Sequence, residues 1–316
     1  MKRVSAVKII GSIGLVISML LNGCTTNSIT DNNVSGNDLT ATEVIRLMGN
    51  GINLGNTLEA YNHKSYVELG VDPTSFETLW GQPVTTRDMI DDMKAMGFDT
   101  LRIPVAWTNG INYESGDYTI DERLMNRVDE VVNYALDADM YVILNEHWDG
   151  SWWGMFGSAD EAVREKGMAL YKSMWTQISE HFSDYSYKLI FESANEELCH
   201  RLNDSDVTGT EGVLSEDECY ETTNRINSEF VKLVRSTGGK NADRFLLIAG
   251  YNTDFRKTCD DRYQMPEDTA KDKLLLSVHY YTPWDYCSDG NAKRWGTPSD
   301  YEEQNSLFQM LTKFTD

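Results

Sequence analysis

Six short apolar runs, each closing on polar residues and separated by amphipathic stretches, constrain this chain more than any other feature. They lie at 51–55, 100–105, 141–145, 189–191, 245–250 and 274–281. Near-continuous apolar strands that alternate with helices imply a parallel sheet covered by those helices. The helical stripes are regular. Met89, Ile90, Met93 and Met96 share one face of 85–96, with Thr85 and Asp88 in capping-box spacing. Leu124, Val128, Val131, Val132 and Ala135 mark a second helix, and Tyr171, Met174, Trp175, Ile178 and Phe182 a third. Ile226, Phe230, Leu233 and Val234 mark a fourth.

Two α/β architectures fit that alternation. A doubly wound nucleotide fold needs a glycine-rich phosphate loop, and neither "NLGNT" nor "GSIG" has its spacing or context. A (β/α)8 barrel brings the ends of all its strands to one rim, and here polar residues gather at strand ends. Asn53 and Asn56 close the first run, Arg102 lies in the second, and Asn145 and His147 close the third. Asn195 and Glu196 follow the fourth, and His279 and Tyr281 end the last. Five such termini converging on one rim imply a site.

The segment 188–200, "KLIFESANEELCH", carries three acids directly after an apolar strand. Aromatic residues cluster near the same rim: Trp107, Trp148, Trp152, Trp153, Tyr280 and Trp284. Exposed rings beside polar groups suit the apolar faces of sugars, and the alternative is that they pack beneath loops. Carboxyl groups in a sugar-binding cleft point to glycoside hydrolysis, which needs two of them, about 5–5.5 Å apart for retention or about 6.5–9.5 Å for inversion. Glu196 is the acid/base candidate. Glu192 shares its strand parity and is expected to point into the barrel, buried and hydrogen-bonded. Glu197 is expected to be a solvated loop residue.

The segments "GINLGNTLEA", "GFDTLRIPVAW", "YVILNEHW", "LIFESANEE" and "LLLSVHYYTPWDY" resemble, in order, those of glycoside hydrolase family 5, the cellulase-type (β/α)8 barrels. "LGNTLEA" with "ETLWGQPVTT" is most similar to its bacterial endoglucanase branch. The resemblance runs from 51 to 287 and implies roles residue by residue. Glu196 would be the acid/base, Asn195 would hold the sugar 2-hydroxyl, and Arg102 would support the nucleophile. His147 would bind sugar hydroxyls, His279 would steady the acid/base, and Tyr281 would contact the nucleophile. Asn53, Asn56, Trp148, Trp152, Trp153 and Trp284 complete the expected substrate contacts. Glu197 stands where the family usually has proline, and Trp148 where it often has a second histidine. The family's nucleophile, a glutamate closing a seventh strand, has no counterpart. About six of eight βα units are recognisable, so the expectation is a C-terminally incomplete barrel whose nucleophile lies beyond Asp316.

Charge sets the remaining bounds. With 28 basic against 50 acidic residues, a net charge of -22 argues against nucleic acid and against electrostatic adhesion to anionic lipid. Met1, Lys2, Arg3 and Lys8 precede an apolar stretch at 9–21, and "LNGC" then resembles a lipoprotein cleavage site with Cys24 lipidated. An ordinary secretory signal with a chance cysteine is the alternative. The expected organisation is therefore a lipoprotein-type leader at 1–24, a polar linker at 25–40 and a catalytic barrel at 41–316. Cys199, Cys219, Cys259 and Cys287 allow three pairings, or none. No C-x-x-C, H-x-H or H-E-x-x-H spacing supports a metal. The reading is an exported, surface-anchored, monomeric, cofactor-free retaining endo-β-1,4-glucanase acting on β-glucan. Alternatives are a mannanase, xyloglucanase or lichenase, and a non-catalytic glycan-binding surface protein.

Overall fold

The six runs become six parallel strands: β1 (Gly51–Asn53), β2 (Thr100–Ile103), β3 (Tyr141–Asn145), β4 (Leu189–Glu192), β5 (Leu246–Ala249) and β6 (Leu274–Ser277). They lie side by side in chain order, β1 to β6, as the successive units of an incomplete (β/α)8 barrel. The computed structural model describes residues 36–61, 66–147, 152–287 and 294–315. The leader at 1–24 with Cys24, the linker up to residue 35, and Trp148 lie outside the described residues.

The helices are α1 (Ala41–Met48), α2 (Tyr66–Leu69), α3 (Thr74–Glu77), α4 (Arg87–Ala95), α5 (Glu122–Asp137) and α6 (Glu161–His181). After them come α7 (Glu216–Ser236), α8 (Phe255–Thr258), α9 (Trp284–Cys287) and α10 (Pro298–Leu311). The long ones cover the sheet with the expected stripes: Val128, Val131, Val132 and Ala135 from α5, Tyr171, Met174 and Trp175 from α6, Ile226 and Phe230 from α7. Strands β3 and β4 are buried along their whole length, whereas β1 lies at one edge of the described sheet and is largely exposed.

Two local expectations need correction. Thr86, not Thr85, caps α4, its hydroxyl accepting from Met89 N–H. Thr85 is buried instead, its N–H donated to Glu77, which Arg127 also holds. The supposed face of α4 buries Ile90 but leaves Met96 70% exposed, because the helix stops at Ala95 and Gly97 turns the chain away in a left-handed conformation. The second concerns the linker. The end of the linker is packed at two points rather than free: Gly36 and Leu39 are buried, and the buried Lys273 just before β6 donates to their carbonyls. A lysine ammonium taken out of water needs such acceptors.

Candidate active site

Register sets the level of the site. Asn53 of β1 pairs with Arg102 of β2, and Asn145 of β3 with Glu192 of β4. Glu192 is fully buried, as its parity implied, and a carboxylate there requires donors. Arg102 Nε donates to its Oε2 at 2.7 Å, Asn145 Nδ2 to the same oxygen at 3.1 Å, and the Ser277 hydroxyl to Oε1 at 2.9 Å. Arg102 Nη2 also donates to Asn195 Oδ1 at 2.9 Å. Burial opposes the Arg102 charge, but Glu192, Glu197 and Glu196 more than offset it and raise its pKa.

The turn after β4 presents Glu196. Its Oε1 lies 2.6 Å from His279 Nδ1, and the His279 N–H is donated to Thr253 O at 2.7 Å. The hydrogen bond from His279 holds the Glu196 carboxyl below the ordinary carboxylate range, against burial, with Arg201 and Arg102 adding to the effect. The Tyr281 ring meets His279 edge-on at 6.3 Å and Trp284 at 6.1 Å. Glu197 is fully buried, not solvated. Its carboxylate folds back onto its own turn, accepting the Asn195 N–H at 2.8 Å, and so satisfies a backbone donor that the sharp turn would otherwise strand.

His147 leaves β3 with its N–H donated to Val105 O at 2.9 Å, and its Nδ1 lies 3.2 Å from Asn145 Nδ2. Burial, with Arg102 and His279 nearby, lowers its pKa to about 3, so the imidazole is neutral. Glu59, which sequence reasoning missed, shares the site. It is buried and accepts the N–H groups of Asn56 and Thr57, and burial raises its pKa despite them. Asn56 takes a left-handed φ of 62°, which turns its N–H onto Glu59. The acid in "NLGNTLEA" three residues after Asn56 was the available signal.

A cavity of about 810 Å³ is lined by Asn53, Glu59, Arg102, His147, Asn195 and Glu196, but not by Asn56. A second, of about 690 Å³, meets it at Glu196, His279 and Tyr281 and continues past Arg256 to Trp284. Two expected contacts are wrong. Trp152 and Trp153 are fully buried and stacked on each other at 4.4 Å, so neither ring can face a sugar, and Trp107 is also buried, its Nε1 donated to Asn145 O. The turn Trp152–Gly157 is roofed by the turn His200–Asn203 and its neighbours, which approach so closely that a Cβ on Gly154 would lie 2.0 Å from Asp204 O. Cys199, Cys219, Cys259 and Cys287 are all free. Among the described residues no group of three or more His, Cys, Asp or Glu could hold a metal ion.

The family model described as Cellulase (glycosyl hydrolase family 5) matches residues 63–316. Endoglucanase A of Paenibacillus barcinonensis is 35% identical over 287 residues, covering 85% of this chain and 66% of its own length. The xyloglucan-specific endo-beta-1,4-glucanase BoGH5A of Bacteroides ovatus is 35% identical over 272 residues, covering 85% of this chain and 51% of its own length. Endoglucanase A of Ruminococcus albus is 36% identical over 283 residues, with 72% of its length covered. Among solved structures, a broad-specificity GH5-4 endoglucanase of Ruminococcus champanellensis with bound cellotriose superposes with a TM-score of 0.73 at 35% identity, over 87% of this chain and 76% of that one. The chain thus spans 50–66% of the length of the first four curated relatives.

Proposed function

This chain belongs to the cellulase family of glycosyl hydrolases, family 5, and from that premise we propose that the native protein is a retaining endo-β-1,4-glucanase. The observation that carries the proposal is the Glu196–His279 pair, set at 2.6 Å where two cavities meet. In the first half-reaction Glu196 gives its proton to the glycosidic oxygen as that oxygen leaves the anomeric carbon, and a second carboxylate bonds to the same carbon. In the second half-reaction Glu196 takes a proton from water, whose oxygen displaces the carboxylate and restores the starting configuration. Asn195 and His147 supply donors to sugar hydroxyls, and Trp284, 57% exposed, offers a stacking face.

The pKa of Glu196 bears on the second carboxylate. Bonded to His279, Glu196 is held as a carboxylate, which suits the water-activating half-reaction. Acting as an acid requires a raised pKa, and a carboxylate within about 5.5 Å would provide it. The other two acids lining the larger cavity are engaged, Glu192 by Arg102, Asn145 and Ser277, and Glu59 by two backbone N–H groups. We therefore place the nucleophile in a segment outside the six strands.

The substrate is proposed as β-1,4-glucan, in keeping with the endoglucanase names of the relatives. A decorated or mixed backbone such as xyloglucan, lichenan or mannan is the variation to test, since one relative is named as xyloglucan-specific. Residues 1–24 are proposed to export the protein, with Cys24 as its lipid anchor at the cell surface, where it acts as a monomer on insoluble polymer.

Replacing Glu196 with Gln in the full-length native protein is expected to lower kcat on cellulose by about 10²–10⁴-fold, the usual worth of general acid–base catalysis, while cello-oligosaccharide binding persists. Hydrolysis at the wild-type rate would remove Glu196 from the reaction.

A further inference from the structure

Glu192 is fully buried and has no part in the reaction above, yet it gathers side chains from three other strands: Arg102 of β2, Asn145 of β3 and Ser277 of β6. Since β2 and β6 are not neighbours in the sheet, these bonds cross the barrel interior. An ionised carboxylate only accepts hydrogen bonds. The group that Asn145 turns toward Glu192 must therefore be its NH₂, which leaves Oδ1 to accept the Val105 N–H at 3.3 Å. The same NH₂ lies 3.2 Å from His147 Nδ1. One of its hydrogens goes to Glu192 and the other points at Nδ1. A ring nitrogen facing a donor has to be the unprotonated one, so the proton of the neutral imidazole resides on Nε2.

We propose that Glu192 is a positioning residue: through the Asn145 amide it fixes His147 as the Nε2–H tautomer, and through its direct ion pair it fixes Arg102 beside Asn195. His147, which lines the larger cavity, then meets a sugar hydroxyl as a donor to its oxygen. Arg102 and His279, which act electrostatically on His147, both disfavour a second proton on the ring. Arg102, held at both ends, keeps Asn195 Oδ1 engaged, and with one Nδ2 hydrogen donated to Glu197 Oε1 at 3.4 Å the other is what Asn195 shows a ligand. The carboxylate thus determines which donors the cleft shows, while its own oxygens stay engaged by Arg102, Asn145 and Ser277.

The tautomer is directly observable and does not depend on the glucanase reading; only the kinetic consequence does. In full-length protein with ¹⁵N-labelled histidine, His147 is assigned among the five histidines by comparison with His147→Gln. Long-range proton–nitrogen spectra are expected to show a bare Nδ1 and a protonated Nε2 from pH 5 to 8. In Glu192→Gln, the new amide competes for the acceptor position, Asn145 can invert, and a mixture of tautomers should appear. On a hydrolysed β-glucan, kcat should fall by about ten-fold or more, the cost of losing one charge-assisted hydrogen bond, with a smaller change in KM. A protonated Nδ1 in the wild type, or a single unchanged Nε2–H tautomer in Glu192→Gln, would overturn the assignment. Should Glu192→Gln fail to fold, Asn145→Ala breaks the same relay one residue nearer the ring, and an unchanged tautomer there overturns it equally. Absence of hydrolysis by the wild type would count against the glucanase reading and leave the tautomer result standing.

Discussion

Aromatic residues follow β3 and β6 alike, yet their fates are opposite. After β3, Trp152 and Trp153 are fully buried, stacked together and packed with Phe156 and Tyr171. After β6, Tyr281, Trp284 and Tyr286 are 52%, 57% and 46% exposed. The difference lies in what covers each loop. The turn Trp152–Gly157 is overlaid by the loop that follows β4, and Gly154 and Gly157 let that loop come within 2.0 Å and 2.2 Å of where a Cβ would stand. The loop after β6 lies at the edge of the described sheet and lines a cavity. A tryptophan at a strand end therefore becomes core or platform according to its neighbours in space.

The contrast predicts a separation of stability from binding. Trp153→Ala should destabilise the protein by about 3–5 kcal/mol, as large buried aromatics do, and Gly154→Ala should add to that side by forcing backbone against backbone. Denaturant midpoints measure both, and a change below about 1 kcal/mol in Trp153→Ala would erase the distinction. Acid probes the site between the two regions. Because the fold keeps His147 neutral down to about 3 while the unfolded chain binds a proton below 6.5, stability should fall as pH drops through that window. The slope from this group is at most about 1.4 kcal/mol per pH unit. A stability flat between pH 6.5 and 4 in wild type, or an unchanged pH profile in His147→Gln, would contradict it. Smallest in stability is Trp284→Ala, expected to change unfolding by no more than about 0.5 kcal/mol. It should still weaken cellotetraose binding by about 0.5–1.5 kcal/mol, the worth of one stacked ring. Equal binding by this variant and the wild type would show that exposure alone does not make it a platform.

How far the residues foretold the site varies with how local each feature is. The burial of Glu192 was legible because strand parity places it inside whenever Glu196 stands at the rim. The pairing of Glu196 with His279 came only as an implication of family resemblance, since 83 residues separate them and no local pattern joins them. Glu197 reads as a solvated acid because a second carboxylate turned inward beside Glu196 would raise the pKa of that acid. It is buried because the turn leaves the Asn195 N–H needing an acceptor. Glu59 was passed over because its use depends on a left-handed turn at Asn56, which the letters "GNTLE" permit without demanding.

What the sequence determined alone is the order and kind of its elements: apolar runs without alternation make buried parallel strands, and stripes of 3.6 period make the helices that cover them. Those patterns act over a few residues, so they survive without knowledge of the rest of the chain. Tertiary structure alone decided that Trp152 and Trp153 are core, that Glu197 turns inward, and that one carboxylate holds Arg102, Asn145 and Ser277 together. Each of these follows from a buried polar or aromatic group needing a partner or cover: for Glu197 it is the Asn195 N–H two residues back, and for Glu192 and the two tryptophans it comes from strands or loops tens of residues away.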